Sequence, residues 1–156
     1  MEHNELYFVE REFDVSIDTL WSAWTSVASL EQWYSPTDLS VVPGSVVSEN
    51  QVGGRWAVGV DVTAHGFNAY FWGRYSEFET KKKLVHTLCY SQDEQEFLAR
   101  DDNAPAHNIV IDFEERDGKS WCKFTQFGEM PAEQAEMSRQ GMLSYFDNLE
   151  KFLANQ

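Results

Sequence analysis

From Leu39 to Phe127 the chain is cut into short apolar runs by glycine and proline turn signals, and this punctuation limits the possible folds more than any other feature. The runs fall at about 39–48, 54–62, 67–79, 83–91, 107–115 and 119–127, with turns marked by Pro43-Gly44, Gly53-Gly54, His65-Gly66 and Asp117-Gly118. Runs of this kind, rich in β-branched and aromatic residues, read as strands, and Asp-Gly between two of them is a two-residue hairpin signal. Links of so few residues join antiparallel neighbours. One more strand is expected over 5–13, ELYFVEREF, where Val9, Arg11 and Phe13 share one face and Phe8, Glu10 and Glu12 the other.

Helical periodicity occupies three places. In SIDTLWSAWTSV, Ile17, Leu20, Trp21 and Trp24 recur at i, i+3, i+4 and i+7, with Ser16 or Asp18 available as N-cap. SLEQWY predicts a second short helix starting at Ser29, with Leu30 and Trp33 on its apolar edge. It ends before Pro36, because a residue preceding proline avoids the helical region. Pro131 suits a first helical position, and Ala135, Met142, Phe146, Leu149 and Leu153 then recur at helical spacing almost to the end of the sequence. Strand, two short helices, a series of strands and a long helix predict an α+β fold, in which a curved antiparallel sheet of about six to seven strands wraps around the C-terminal helix. With 156 residues and no repeat, low-complexity tract or linker, residues 1–156 read as a single domain. The one long polar connection, QDEQEFLARDDNAPA over 92–106, is a candidate lid carrying Phe97 and Leu98 across the mouth of any gap between sheet and helix.

Charge and composition exclude several functions. Twelve Lys and Arg against 26 Asp and Glu give a formal net charge of −14, and such a surface repels phosphate backbones and anionic membranes alike. Nucleic acid and membrane are therefore not expected partners. The longest apolar runs, Leu6 to Val9 and Ala69 to Trp72, are far shorter than the roughly 20 residues of a spanning helix. The opening MEHNELYFVE has none of the features of a secretory signal, and the chain reads as cytoplasmic. Cys89 and Cys122 stand alone in apolar strands without CxxC spacing, the setting of reduced, buried thiols.

Several motifs combine into a resemblance. Arg11 and Phe13 end the first strand as Arg-x-Phe; Trp21, Ala23, Trp24 and Thr25 form Trp-x-Ala-Trp-Thr; Leu30, Trp33, Tyr34 and Pro36 form a Leu-x-x-Trp-aromatic-x-Pro segment. Gly53-Gly54-Arg55-Trp56, the pair Gly73 and Tyr75, and Gly141 with Asp147, Leu149, Phe152 and Leu153 follow. Together they resemble the family named after the activators of the heat-shock-protein-90 ATPase, within the START-like (SRPBCC) superfamily of helix-grip folds. Met142 stands where many relatives have Trp, and Gln126 where many have His.

The resemblance implies a cavity between sheet and helix that holds a small hydrophobic or amphipathic molecule. Trp33, Trp56, Trp72, Tyr75, Tyr90, Phe97, Met142, Tyr145 and Phe146 are the large side chains expected around that gap, with packing of the core as their alternative role. Arg11, Arg55, Arg74 and His86 are the polar groups set among apolar strand residues, able to orient a ligand's carboxylate or hydroxyl. His86 is the best placed of them, sharing a face with Leu84 and Leu88. The family name also implies a chaperone as an alternative partner, and the superfamily implies a cyclase or lyase as an alternative activity. No catalytic residue is assigned, since His3, His65, His86, His107 and the two cysteines match no nucleophile motif. No metal and no cofactor are implied: His86, His107 and Asp112 lack the local spacing of zinc sites. A monomer or a homodimer is compatible with the strand edges.

Overall fold

The computed structural model describes residues 4–156; His3 lies outside them. Strand β1 (Asn4–Phe13) is followed by helices α1 (Ile17–Thr25) and α2 (Val27–Trp33). The strands β2 (Ser40–Val41), β3 (Val47–Ser48), β4 (Arg55–Val62), β5 (Phe67–Glu79) and β6 (Lys83–Ser91) come next. A short helix α3 (Glu94–Ala99), the hairpin β7 (His107–Arg116) and β8 (Lys119–Gly128), and the long helix α4 (Ala132–Ala154) complete the chain.

The sheet is antiparallel in the order β1-β8-β7-β6-β5-β4-β2, with β3 also paired to β4, and it curls into a half-barrel around α4. The run expected over 39–48 splits into two two-residue strands that share the β4 edge. Pro43 lacks the N–H a ladder needs and Gly44 turns back at φ +78°, so no continuous strand can form there. The second helix also begins earlier than Ser29. Ser26 closes α1 and caps α2, its hydroxyl accepting from the Ser29 N–H. Ser16 caps α1, accepting from the Thr19 N–H.

Alternation along the strands sorts side chains onto two faces. Val9 and Phe13 of β1, Trp56, Val58 and Val60 of β4, Tyr75 of β5, Leu84 and His86 of β6, Ile109, Ile111 and Phe113 of β7 and Phe124 of β8 point inward. They meet Phe146, Leu149 and Leu153 of α4 together with Leu20, Trp24, Leu30 and Trp33 of the short helices. The Trp33 indole N–H donates to the Ala23 carbonyl at 2.8 Å, and its ring meets Trp24 edge-on at 4.8 Å, which locks α2 against α1. Bulges add one residue between Glu5 and Tyr7 in β1 and one between Tyr75 and Glu77 in β5. Each bulge shifts the alternation, so residues three apart, Asn4 and Tyr7 or Tyr75 and Phe78, face the same way.

His86 belongs to this core. It is 1% exposed, stacks on Trp56 at 4.3 Å and meets Tyr75 edge-on at 5.9 Å, while Nδ1 lies 2.7 Å from the Thr87 carbonyl and donates to it. Burial holds the imidazole neutral, its pKa pushed down to about 4 against a weaker opposing pull from the Thr87 carbonyl.

Two stability predictions follow from this packing. The unfolded chain protonates His86 near its ordinary value of about 6.5 and the folded chain only near 4, so stability falls as pH drops through that window, by about 3 kcal/mol in total. Urea titrations of the wild type and His86→Phe between pH 7 and pH 4 should show the wild type losing that much more than the variant. Gly73 and Gly141 should respond oppositely to alanine. A Cβ on Gly73 would lie 2.0 Å from the Thr87 carbonyl oxygen, whereas one on Gly141 in α4 meets open space. Gly73→Ala should cost about 2 kcal/mol or more by forcing a backbone shift. Gly141→Ala should stabilise by up to about 1 kcal/mol through its helix propensity, measured by the same denaturation.

Candidate functional site

The inward face is filled around the C-terminal half of α4 and open around its N-terminal half. Phe146 and Leu149 are fully buried, but one to two turns earlier the helix presents Gly141, Met142 and Ser138, and the space before them is a cleft of about 790 Å³. Its floor and walls come from Tyr7 of β1, Phe71 of β5, Leu88 and Tyr90 of β6, and Phe124 of β8. Tyr34, just after α2, and Tyr145 of α4 close its inner end, their rings 5.1 Å apart and edge-on. Phe71 and the half-exposed Tyr90, 5.3 Å apart, stand at the outer side. Pro105, Ala106, Glu129 and Met130 bring the loops before β7 and after β8 to the rim.

Burial raises the hydroxyl pKa of Tyr7, Tyr34 and Tyr145 well above that of an ordinary phenol, so these groups act as neutral hydrogen-bonding dipoles and not as charges. One of them belongs to a chain of three side chains. The Tyr7 O–H donates to Gln126 Oε1 at 2.7 Å, and the amide nitrogen of Gln126 lies 2.7 Å from Nδ1 of His107. Strand register builds this chain: Tyr7 is directly opposite Gln126 across β1 and β8, and His107 is two residues before Ile109, the partner of Gln126 on β7. Gly128 leaves room for the imidazole, because a Cβ there would come within 2.4 Å of the His107 ring.

The structure divides the aromatic residues, Met142 and His86 singled out from the sequence among three places. Tyr90, Met142 and Tyr145 line the cleft. Trp33, Trp56, Tyr75, His86 and Phe146 are packed in the main core and do not reach the cleft. Trp72 and Phe97 lie on the outer face of the sheet, in a separate cluster with Ala57, Tyr70 and Cys89. Phe97 arrives there because residues expected to form a lid include helix α3, which docks its one buried side chain against β5 and β6. Phe97 stacks on Tyr70 at 4.7 Å, so α3 covers the outer face, and of the 92–106 connection Pro105 and Ala106 alone reach the rim of the cleft.

Arg11 and Arg74 tie parts of the scaffold together. Arg11 bridges β1 to α4 through Asp147 at 3.0 Å and Glu150 at 3.1 Å. Arg74 pairs with Asp102 at 2.9 Å and donates to the Gly53 carbonyl, and Arg55 stands opposite it across β4 and β5, on the outer face. Cys89 and Cys122 are free, buried thiols, and burial raises the pKa of both. Among the described residues no group of three His, Cys, Asp or Glu side chains could hold a metal ion. Nor does any described helix have the length and apolarity to cross a membrane.

Sequence reasoning passed over Tyr7, His107 and Gln126 as site residues. The signal for Tyr7 was present, since the alternation that sets Val9, Arg11 and Phe13 on one face extends back to it. His107 and Gln126 become visible only once β7 and β8 are placed in register.

Comparison with solved structures returns the same fold. A solution structure from Staphylococcus epidermidis superposes with a TM-score of 0.78 at 24% identity, covering 99% of this chain and 92% of that one. A crystal structure of an AHSA1 protein from Silicibacter pomeroyi gives 0.78 at 19% identity, with 95% and 96% covered. A solution structure from Arthrobacter aurescens gives 0.77 at 20%, with 96% and 86% covered. No curated protein matches the chain significantly. The family model described as Activator of Hsp90 ATPase homolog 1-like protein matches residues 14–154, which takes in everything from the end of β1 to the end of α4, and the chain belongs to that family.

Proposed function

We propose that the protein binds a small hydrophobic or amphipathic molecule in the cleft between the sheet and the N-terminal half of α4. The observation that carries this reading is the cleft itself. About 790 Å³ of space walled mainly by Tyr, Phe, Leu and Met side chains falls within the range of small-molecule sites, which are mostly apolar with a few placed polar groups. An apolar molecule seated there would take that apolar lining out of contact with water. The family membership agrees with a ligand-binding fold.

Met142 is the residue through which the reading is best tested. Its flexible side chain is 8% exposed and faces the cleft beside Gly141, so a larger ring at this position would occupy space now open. Met142→Trp should weaken binding of an uncharged fluorescent apolar dye such as Nile red by about tenfold or more, with the melting temperature unchanged or raised. Equal dye affinity in the two proteins would place the dye elsewhere and count against the cleft, as would failure of the wild type to take up the dye at all.

A further inference from the structure

The chain Tyr7–Gln126–His107 fixes the direction of one donor in the cleft. With Oε1 of Gln126 accepting from the Tyr7 hydroxyl, the other end of the amide is its NH2 group, which can only donate. Nδ1 of His107, 2.7 Å away, must therefore accept, and the neutral imidazole carries its proton on Nε2. His86 is held in the opposite tautomer, since its Nδ1 donates to a backbone carbonyl. The His107 ring lies in the cleft lining beside Gly128, and among the described residues its Nε2–H has no hydrogen-bond partner.

The remaining polar character of the cleft points the same way. Among the described residues that line it there is no Lys and no Arg, and the one carboxylate is Glu129 at the rim. The arginines that the sequence offered as partners for a ligand carboxylate are engaged elsewhere, Arg11 by α4 and Arg74 by Asp102, and Arg55 is on the outer face. An anion entering the cleft would lose its hydration without gaining a counter-charge, in a molecule whose formal net charge is −14.

Resting on the cleft reading above, the geometry points to His107 as the specificity-determining donor for an uncharged ligand with an acceptor oxygen, with Gln126 as the positioning residue that sets its tautomer. The cleft selects such molecules over carboxylates of the same shape. Binding needs no covalent step: His107 Nε2–H donates a hydrogen bond to the acceptor oxygen while the apolar body of the ligand lies against Tyr7, Phe124 and Met142.

Three probes of nearly one shape separate the terms: 2-acetylnaphthalene, with a neutral acceptor; 2-naphthoate, an anion; and 2-isopropenylnaphthalene, with neither. Equilibrium dialysis at pH 8 should show the wild type binding the ketone about tenfold or more tighter than the carboxylate and about fivefold tighter than the alkene. His107→Phe and Gln126→Leu should each abolish the preference for ketone over alkene, while leaving alkene affinity within about twofold. Long-range 15N–1H correlation spectra of the unliganded wild type, which need no variant, should show His107 protonated on Nε2 and His86 on Nδ1. Naphthoate binding as tightly as the ketone, an undiminished ketone preference in His107→Phe, or His107 protonated on Nδ1 would each overturn the inference and leave the cleft reading intact. Failure of all three probes to bind would overturn both.

Discussion

The structure depends on how α4 is gripped along its length. The helix spans 23 residues, about 35 Å at 1.5 Å per residue, and its two halves meet the curled sheet differently. Phe146, Leu149 and Leu153 fill the concave face and draw in α1 and α2, where Trp24 touches Phe124 and Phe146 and Trp33 locks beneath it. The Arg11 bridge to Asp147 and Glu150 ties the β1 edge to the same half of the helix. These ion pairs are partly exposed and contribute little stability alone, but they restrict how the helix can slide over the edge strand. With one half anchored so firmly, the other half need not be filled for the domain to stay folded. The cleft exists because small and flexible side chains, Gly141, Ser138 and Met142, occupy positions where bulk would close it.

Curvature sets the same boundary from the sheet side. The two bulges break the strict alternation of β1 and β5, so that Asn4 and Tyr7 both reach the cleft and Tyr75 and Phe78 both reach the core. Gly73, with no space for a Cβ against the Thr87 backbone, allows β5 and β6 to come closer than side chains would permit. The outer face is covered more economically. Trp72, Tyr70 and Cys89 would expose a large apolar patch there, and α3 covers it with one aromatic side chain, Phe97. The Trp72 indole N–H donates to the Asp101 carbonyl at 3.2 Å, which keeps the connection after α3 on the same side.

Polar groups divide by the same geometry. Arg11 and Arg74 sit where acids or a carbonyl satisfy them, His107 and Gln126 face the cleft, and His86 is held neutral by its burial in the core. A cleft with neutral hydroxyls, three side-chain amides and one imidazole differs in kind from the charged pocket that arginines would have made. Its contribution to recognition is direction, through the placement of donors and acceptors, more than charge attraction.

The fold was largely legible in the sequence because its signals are local. Turn glycines delimit the strands, the Ile17, Leu20, Trp21 and Trp24 spacing marks α1, and Ala135, Met142, Phe146, Leu149 and Leu153, all buried, mark the inner face of α4. Two local features escaped: the break inside 39–48, where two strands of two residues are too short to show a period, and the helix inside the polar stretch 92–106, only six residues long. The site was less legible. An aromatic residue on a strand looks the same in sequence whether it fills the core, as Trp56 and Tyr75 do, covers the outer face, as Trp72 does, or borders a cleft, as Tyr90 does. Only the register of β1, β8 and β7 brings Tyr7, Gln126 and His107 together from positions up to 119 residues apart. The sequence by itself determined which residues are apolar and with what period, and so the elements and their order. Tertiary structure alone decided where packing stops and a cleft begins, because that depends on the curvature of the sheet and the volume of side chains that meet across it.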